Sequence, residues 1–115
     1  MKFKIVAFLL AIVLSNTSIA SDQSGQITNI IVRADGLHWI HVTGTRTAKP
    51  ACTGSNEYWM IKDENSLVGK AHFSMVLSAY MSGKTVAIYG IGECSRWSDG
   101  EDIHSIEISE GPFKG

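Results

Sequence analysis

The chain has 115 residues, of which 44% are hydrophobic and 18% are charged, and this is the composition of one small globular domain. A dinucleotide-binding fold or a (β/α) barrel needs a longer chain. Ten basic and eleven acidic residues leave a net charge of −1, so no overall positive field is available to hold a nucleic-acid backbone. Length and charge therefore exclude a large catalytic scaffold and predict no nucleic-acid partner.

The N-terminal segment has the pattern of a secretory signal peptide. Lys2 and Lys4 form a basic start, residues 5–14 are an unbroken apolar run, and Ser18 and Ala20 place small residues at the −3 and −1 positions of a cleavage site. A membrane span needs ~20 apolar residues. Because the run is shorter than this, an uncleaved anchor is the less favoured alternative.

Removal of residues 1–20 leaves residues 21–115 as a single exported domain with no membrane span. Two basic residues and no acidic one are lost, so the mature chain carries a net charge of −3. The predicted location is secreted or periplasmic, and an oxidising compartment favours a disulfide over a metal thiolate. Cys52 and Cys94 are therefore expected to pair, with two free buried thiols as the alternative.

Hydrophobic periodicity and turn residues predict five strands and one helix. Residues 21–25 are polar and lack a period, so a flexible lead-in is expected there. The predicted elements are a hairpin of strands 26–33 and 37–43 around Asp35-Gly36, a loop at 43–56, a strand at 58–62, a helix at 67–82, and strands at 85–90 and 103–109.

The order of these elements, β-β-β-α-β-β, is that of the OB-fold. This fold is a five-stranded, partly open barrel whose helix lies between the third and fourth strands. The predicted class is therefore mainly β with one helix, in an OB-fold-like barrel. A small open α+β sheet is the competing architecture.

The predicted helix has clear end signals and a broad apolar side. Either residue of Asn65-Ser66 can cap its start, and Gly83 follows its last residue. The apolar side spans roughly 200°, whereas a helix needs ~100° to cover one core. Part of it is therefore expected to face a neighbouring subunit, with Phe73, Met75 and Tyr80 as the candidate interface. The alternative is that these side chains only flank a single core.

The chain contains no complete metal or cofactor motif. His38 and His41 are three residues apart on a predicted strand, so their side chains point to opposite faces and cannot share an ion. Asp99, Glu101 and Asp102 are crowded in one loop but match no calcium-loop pattern, which favours a solvated acidic loop over a cation site. No metal and no cofactor are predicted.

No arrangement of residues indicates catalysis. Gly90-Ile91-Gly92 resembles a phosphate-binding loop, but the third glycine and the following helix are missing. None of the serines sits in a nucleophile elbow, and spacing assembles no Ser/His/Asp set. We therefore expect a protein that is not an enzyme.

Aromatic residues offer a candidate binding site. Trp39 and Trp59 lie on predicted strands, Trp97 lies in a loop beside Cys94, and Tyr89 adds an amphipathic ring. The apolar C–H face of a pyranose packs on such rings while its hydroxyls form hydrogen bonds. Trp39, Trp97 and Tyr89 are therefore candidates for carbohydrate binding. The alternative is that Trp39 and Trp59 fill the core.

Six short segments within residues 26–94 carry a resemblance to a known family. They are Val32-Arg33, His38-Trp39-Ile40, Pro50-Ala51-Cys52, the strand around Trp59, Ala79-Tyr80-Met81-Ser82-Gly83 and Thr85-Val86-Ala87-Ile88. These segments are similar to the subtilase cytotoxin B subunit family, whereas residues 100–115 depart from it. The resemblance implies an OB-fold, an internal disulfide, and a ring of five subunits that binds sialylated glycans and delivers a toxin A subunit. It also implies a sugar contact for a serine just ahead of the first strand, and Ser24 lies near that place.

The leading hypothesis is a secreted, non-enzymatic homo-oligomer that binds cell-surface glycans through Ser24, Trp39, Trp97 and Tyr89. A ring of weak sites gains avidity because several sites bind at once. The alternative is a monomeric exported module that binds a small ligand or a protein. The two hypotheses differ in the helix, whose second apolar edge a monomer would cover with its own loops.

Overall fold

The computed structural model describes residues 20–109, which form a closed five-stranded barrel with one α-helix. Most of the predicted signal peptide, residues 1–19, lies outside the described residues, as do residues 110–115. The elements are β1 (Asp22–Val32), β2 (His38–Val42), a 3-10 helix (Ala51–Thr53), β3 (Trp59–Met60), α1 (Leu67–Ser82), β4 (Thr85–Gly90) and β5 (Glu101–Ile108). The strands follow one another around the barrel in the order β1-β2-β3-β5-β4. The predicted OB-fold-like architecture is confirmed, and the open sheet is excluded.

Strand pairing shows how the barrel closes. β1 and β2 form the predicted antiparallel hairpin, which begins with Val32 opposite His38 at the turn. The first half of β1 pairs instead with β4, so this one strand belongs to both sides of the barrel. β3 pairs in parallel with β5, where Trp59 lies opposite Glu101. This short parallel contact closes the ring of strands.

The first strand begins earlier than periodicity predicts. The prediction of a flexible lead-in at residues 21–25 is wrong, because β1 begins at Asp22 and this segment is hydrogen-bonded to β4. Ser21 and Gln23 are buried there. Since the buried positions are polar, the segment lacks the alternation of apolar and polar residues that marks a strand in a sequence.

Two acidic side chains that were expected in a solvated loop are buried. β5 begins at Glu101, two residues earlier than predicted, and Glu101 and Asp102 are fully buried. Glu101 forms an ion pair with Arg46 at 2.8 Å. Asp102 accepts hydrogen bonds from the backbone N–H groups of Ser95 and Arg96, at 2.9 and 3.2 Å. The prediction of a solvated acidic loop is therefore wrong for Glu101 and Asp102, because both carboxylates have partners inside the protein.

α1 has the predicted limits, and both of its ends are capped. Ser66 Oγ accepts a hydrogen bond from the Gly69 N–H at 2.9 Å. Gly83 adopts the left-handed conformation, with φ 66°, and its N–H donates to the Ala79 carbonyl. Val76 and Ala79 are buried, so the helix contributes one face to the core.

The core is one apolar cluster to which every strand and the helix contribute. Because burial of apolar surface is the main favourable term in folding, this cluster holds the elements together. Its buried members are Ile27, Ile40, Val42, Trp59, Ile61, Val76, Ala79, Val86, Ile88, Ile103 and Ile106.

The predicted disulfide is confirmed. Cys52 and Cys94 are joined, with their Cα atoms 6.1 Å apart. The bond links the 3-10 helix in the β2–β3 loop to the β4–β5 loop, and so connects two irregular segments. Within residues 20–109, no helix is long and apolar enough to cross a membrane.

Replacing both cysteines by alanine (C52A/C94A) is expected to lower the free energy of unfolding by roughly 3–4 kcal/mol. The physical reason is the loss of a cross-link between residues 42 positions apart, which restricts the unfolded chain. Urea denaturation of the oxidised protein and of the variant measures the difference. A loss of less than ~1 kcal/mol would contradict a stabilising role for the bond.

Candidate functional site

An aromatic cluster covers the side of the barrel where β2, β3 and the β4–β5 loop meet. Along β2 buried and half-buried residues alternate, so Ile40 points inward while Trp39 and His41 point outward. Tyr58 directly precedes β3, and Trp97 lies in the β4–β5 loop. We call the surface formed by Trp39, His41, Tyr58 and Trp97 the aromatic face.

The rings of the aromatic face contact one another edge to face. The centroid of Trp39 lies 5.7 Å from that of Trp97 and 6.0 Å from that of Tyr58, with interplanar angles of 81° and 87°. His41 contacts Tyr58 on the other side, at 5.8 Å. Edge-to-face packing is favourable and fixes ring orientations. The aromatic face is therefore a preformed surface.

Arg33 lies over two of these rings. Its guanidinium carbon is 5.0 Å from the centroid of Trp39 and 5.3 Å from that of Trp97, which is within the range of a cation–π interaction. Arg33 also forms an exposed ion pair with Asp35 at 2.6 Å. The rings of Trp39 and Trp97 and the carboxylate of Asp35 thus hold the positive charge of Arg33 at the edge of the aromatic face.

Asp99 holds the opposite edge. The Tyr58 hydroxyl donates to Asp99 Oδ1, and Asn56 Nδ2 donates to Asp99 Oδ2 at 2.8 Å. Burial raises the pKa of Tyr58 above its usual value, and the hydrogen bond to the Asp99 carboxylate raises it further. Tyr58 is therefore a neutral hydrogen-bonding group around neutral pH.

A shallow depression opens in the aromatic face. Its volume is about 460 Å³, within the range of small-molecule sites. The surface is mostly apolar, and the polar groups of its side chains are an amide, an imidazole, a phenol and an indole N–H. Its lining residues are Ile31, Trp39, His41, Asn56 and Tyr58.

The structure brings two of the four predicted glycan contacts together. Trp39 and Trp97 touch, although 57 residues of chain separate them. Ser24 and Tyr89 lie on the β1–β4 side of the barrel instead, where Ser24 is opposite Ala87. A sugar contact by Ser24 and Tyr89 stays a prediction, on a surface separate from the aromatic face.

Four residues that line the depression were not among the predicted contacts: Ile31, His41, Asn56 and Tyr58. The period of two in β2 places His41 on the same side as Trp39, so this member was open to prediction. Asn56 and Tyr58 lie in or beside a loop without periodicity, where sequence offers no direction for a side chain. Trp59, the remaining tryptophan, is completely buried in the core.

The two strand histidines point to opposite sides, as predicted. His38 is buried and its ring packs on Phe73 at 4.7 Å, whereas His41 belongs to the aromatic face. Among residues 20–109, no group of three or more His, Cys, Asp or Glu side chains could hold a metal ion.

The predicted interface residues of α1 divide into two kinds. Phe73 and Met75 are half-buried and pack against the core, while Tyr80 is 47% exposed. Next to Tyr80, Leu77 and Met81 are also exposed. Leu67 and Val68 are exposed as well, in the first turn of the helix, so the core covers only part of the apolar side of α1.

No family model, curated protein or solved structure matches this chain.

Changing Asp99 to Asn is expected to lower the pKa of Tyr58 toward the usual value of about 10. The variant removes the negative charge that opposes formation of the phenolate, and burial alone remains to raise the pKa. Titration followed by NMR of labelled tyrosine rings measures the shift. Asp35→Asn, at the other edge of the face, is the matched control and should leave Tyr58 unchanged. An unchanged pKa in Asp99→Asn would rule out the contact.

Proposed function

We propose that this chain is an exported, non-enzymatic carbohydrate-binding protein of the toxin B-subunit type, and that the aromatic face receives the sugar. The single observation that carries the proposal is a preformed ring cluster beside a depression with polar edges. The disulfide supports export, because such bonds persist in oxidising compartments.

The chemistry of the depression suits a pyranose. Trp39 and Ile31 offer apolar surface to the C–H face of the ring, and His41 and Asn56 offer hydrogen-bonding atoms to its hydroxyls. The packing of Trp39 against Trp97 and Tyr58 restrains its ring before any ligand arrives, which lowers the entropic cost of binding.

The location agrees with the general use of this fold. OB-folds bind oligosaccharides and oligonucleotides on the face of strands 2 and 3, between the loops that follow strands 1 and 4. The aromatic face occupies this position. The support is an analogy between folds, and the negative charge predicted for the mature chain favours the sugar over the nucleic acid.

The charges at the edges bear on whether the glycan is sialylated. Arg33 lies over Trp39 and is the cation that would contact a sialic acid carboxylate. It is already paired with Asp35, and Asp99 places a second carboxylate at the opposite edge. A sialylated ligand would therefore share Arg33 with Asp35 and meet a second carboxylate at the opposite edge, whereas a neutral ligand would meet neither repulsion.

Self-association would make weak sugar sites useful, since avidity grows with the number of linked sites. We place the contact between subunits on the exposed apolar residues in the C-terminal half of α1, Leu77, Tyr80 and Met81. Val32 of β1 lines the same shallow groove as these residues. The proposed assembly is a homopentamer whose further partner is a toxin A subunit.

A second candidate is a monomeric binding module that uses the same aromatic face. The observation that favours it is the packing of Phe73 and Met75 against the chain's own core. This packing removes two of the three side chains that were expected between subunits.

Trp39→Ala and Trp97→Ala are each expected to weaken glycan binding at least ~10-fold, because truncation of an aromatic hot-spot residue costs about 2 kcal/mol or more and ~1.4 kcal/mol is a factor of ten. The measurement is binding of the oxidised protein to an array of neutral and sialylated glycans, followed by calorimetry on the best ligand. Ser24→Ala and Tyr89→Phe are controls on the β1–β4 side. If only these two reduce binding, the site lies there. No binding to any glycan would overturn the proposed function.

Tyr80→Asp is expected to convert the assembly to monomers, because it places a charge on the apolar contact. Light scattering over a range of concentrations measures the mass. Ser78→Asp, an exposed position on the polar side of the same helix, is the matched control. A wild-type protein that is monomeric at every concentration would contradict the proposed ring. The monomeric binding module would then be the remaining candidate.

A further inference from the structure

A buried ionic network lies around the side chain of Glu101. Both partners of its ion pair with Arg46 have side chains that are completely buried. Ser21 joins the pair from the start of the barrel: its Oγ donates to Glu101 Oε1 and accepts from Arg46 Nε at 2.9 Å. The second carboxylate oxygen, Oε2, accepts from the Gly92 N–H at 2.9 Å and faces the Ser21 nitrogen at 3.3 Å.

The Glu101 carboxylate fits beside Gly90 because this residue has no side chain. A Cβ atom on Gly90 would lie 1.7 Å from Glu101 Oε2, so a side chain at that position would displace the carboxylate. On the other side, the Arg46 guanidinium stacks on Trp59, with its carbon 3.7 Å from the ring centroid. The Ser21 nitrogen therefore faces a fixed, dehydrated anion.

Ser21 is also the residue at which the chain enters the barrel. Ala20 is exposed, whereas Ser21 is 2% exposed and its carbonyl accepts a hydrogen bond from the Gly90 N–H at 2.8 Å. The cleavage site predicted from Ser18 and Ala20 falls between these two residues. The bond expected to be cut therefore joins the last exposed residue to the first buried one.

We propose that removal of the leader after Ala20 creates an α-ammonium at Ser21 that pairs with Glu101, so that processing stabilises the barrel of the mature chain. Hydrolysis of the Ala20–Ser21 peptide bond consumes one water molecule. The leader departs with the new carboxylate on Ala20, and the Ser21 amine takes up a proton. A neutral amide donor next to Glu101 is thus replaced by a cation with additional N–H donors.

The surrounding charges allow this second cation. Arg46 is the cation already present, and Glu101 lies directly between it and the Ser21 nitrogen. Glu57 acts on Arg46 electrostatically and also pairs with Lys49 at 2.6 Å, whereas the exposed side chain of Asp22 is hydrogen-bonded to Thr47. Glu101 therefore lies between the two cations, and Glu57 adds a second negative charge that acts on Arg46. Because a charge-assisted hydrogen bond is stronger than one from a neutral donor, the mature chain gains stability.

Two chains that differ by one residue test the proposal. One begins at Ser21 and the other at Ala20; both end at Gly115, carry the disulfide and have a free terminal amine. Only in the first does the ammonium lie beside Glu101. We expect its unfolding midpoint at pH 7 to be at least ~4 °C higher. Equal midpoints, or a higher one for the chain that begins at Ala20, would overturn the proposal.

Two further measurements identify the contact. In the folded state, an amine-acylating reagent should modify the terminal amine of the Ser21 chain at least ~10-fold more slowly than that of the Ala20 chain, with lysine amines as internal controls. Glu101→Gln should abolish the difference in unfolding midpoint between the two chains. If this variant does not fold, the comparison of the two chains without the substitution still tests the proposal. N-terminal sequencing of the exported protein should begin at Ser21, and another start would refute the processing step.

Discussion

The buried ion pair between Arg46 and Glu101 holds together parts of the chain that apolar burial alone does not position. Desolvating two charges costs several kcal/mol per ion, and the cost is offset only when the geometry is good and further hydrogen bonds are made. Both conditions are met, since the guanidinium also stacks on Trp59 and bonds to Ser21, while the carboxylate accepts four contacts. Loss of either partner would leave a bare charge in the core. The pair thereby joins the start of β1, the β2–β3 loop, β3 and β5.

The aromatic face depends on this internal network. β3 is only two residues long, and the carbonyl of the residue before it, Tyr58, accepts a hydrogen bond from Arg46 Nη1 at 3.2 Å. The Tyr58 ring is thereby positioned from inside the barrel as well as by Asp99 on the surface. On the other side of the face, the disulfide at Cys94 restrains the loop that carries Trp97. Irregular segments therefore present a defined surface because a charge pair and a covalent bond tether them.

The sequence of α1 meets two requirements: one side of the helix packs in the core, and another side faces solvent. Val76 and Ala79 enter the core, and Phe73 packs against it beside His38. The opposite side of the helix follows the polar stripe of serines, so the exposed apolar residues Leu77, Tyr80 and Met81 occupy the edge between core and solvent. An apolar edge of this kind is compatible with a contact between subunits, and the packing of Phe73 and Met75 against the core is compatible with a monomer.

Local sequence signals determined the helix limits, the β1–β2 hairpin and the order of elements, because caps, turns and apolar periods act over a few residues. The oxidising context also predicted the pairing of Cys52 with Cys94. Tertiary structure alone decided that Ser21 is buried and that Glu101 is an internal anion, since these two residues meet across 80 positions of chain and their polar character predicts exposure. It also decided which rings form the aromatic face. Trp39 was open to prediction from strand alternation, whereas loop residues such as Asn56 and Trp97 take their direction from distant contacts that no local period encodes.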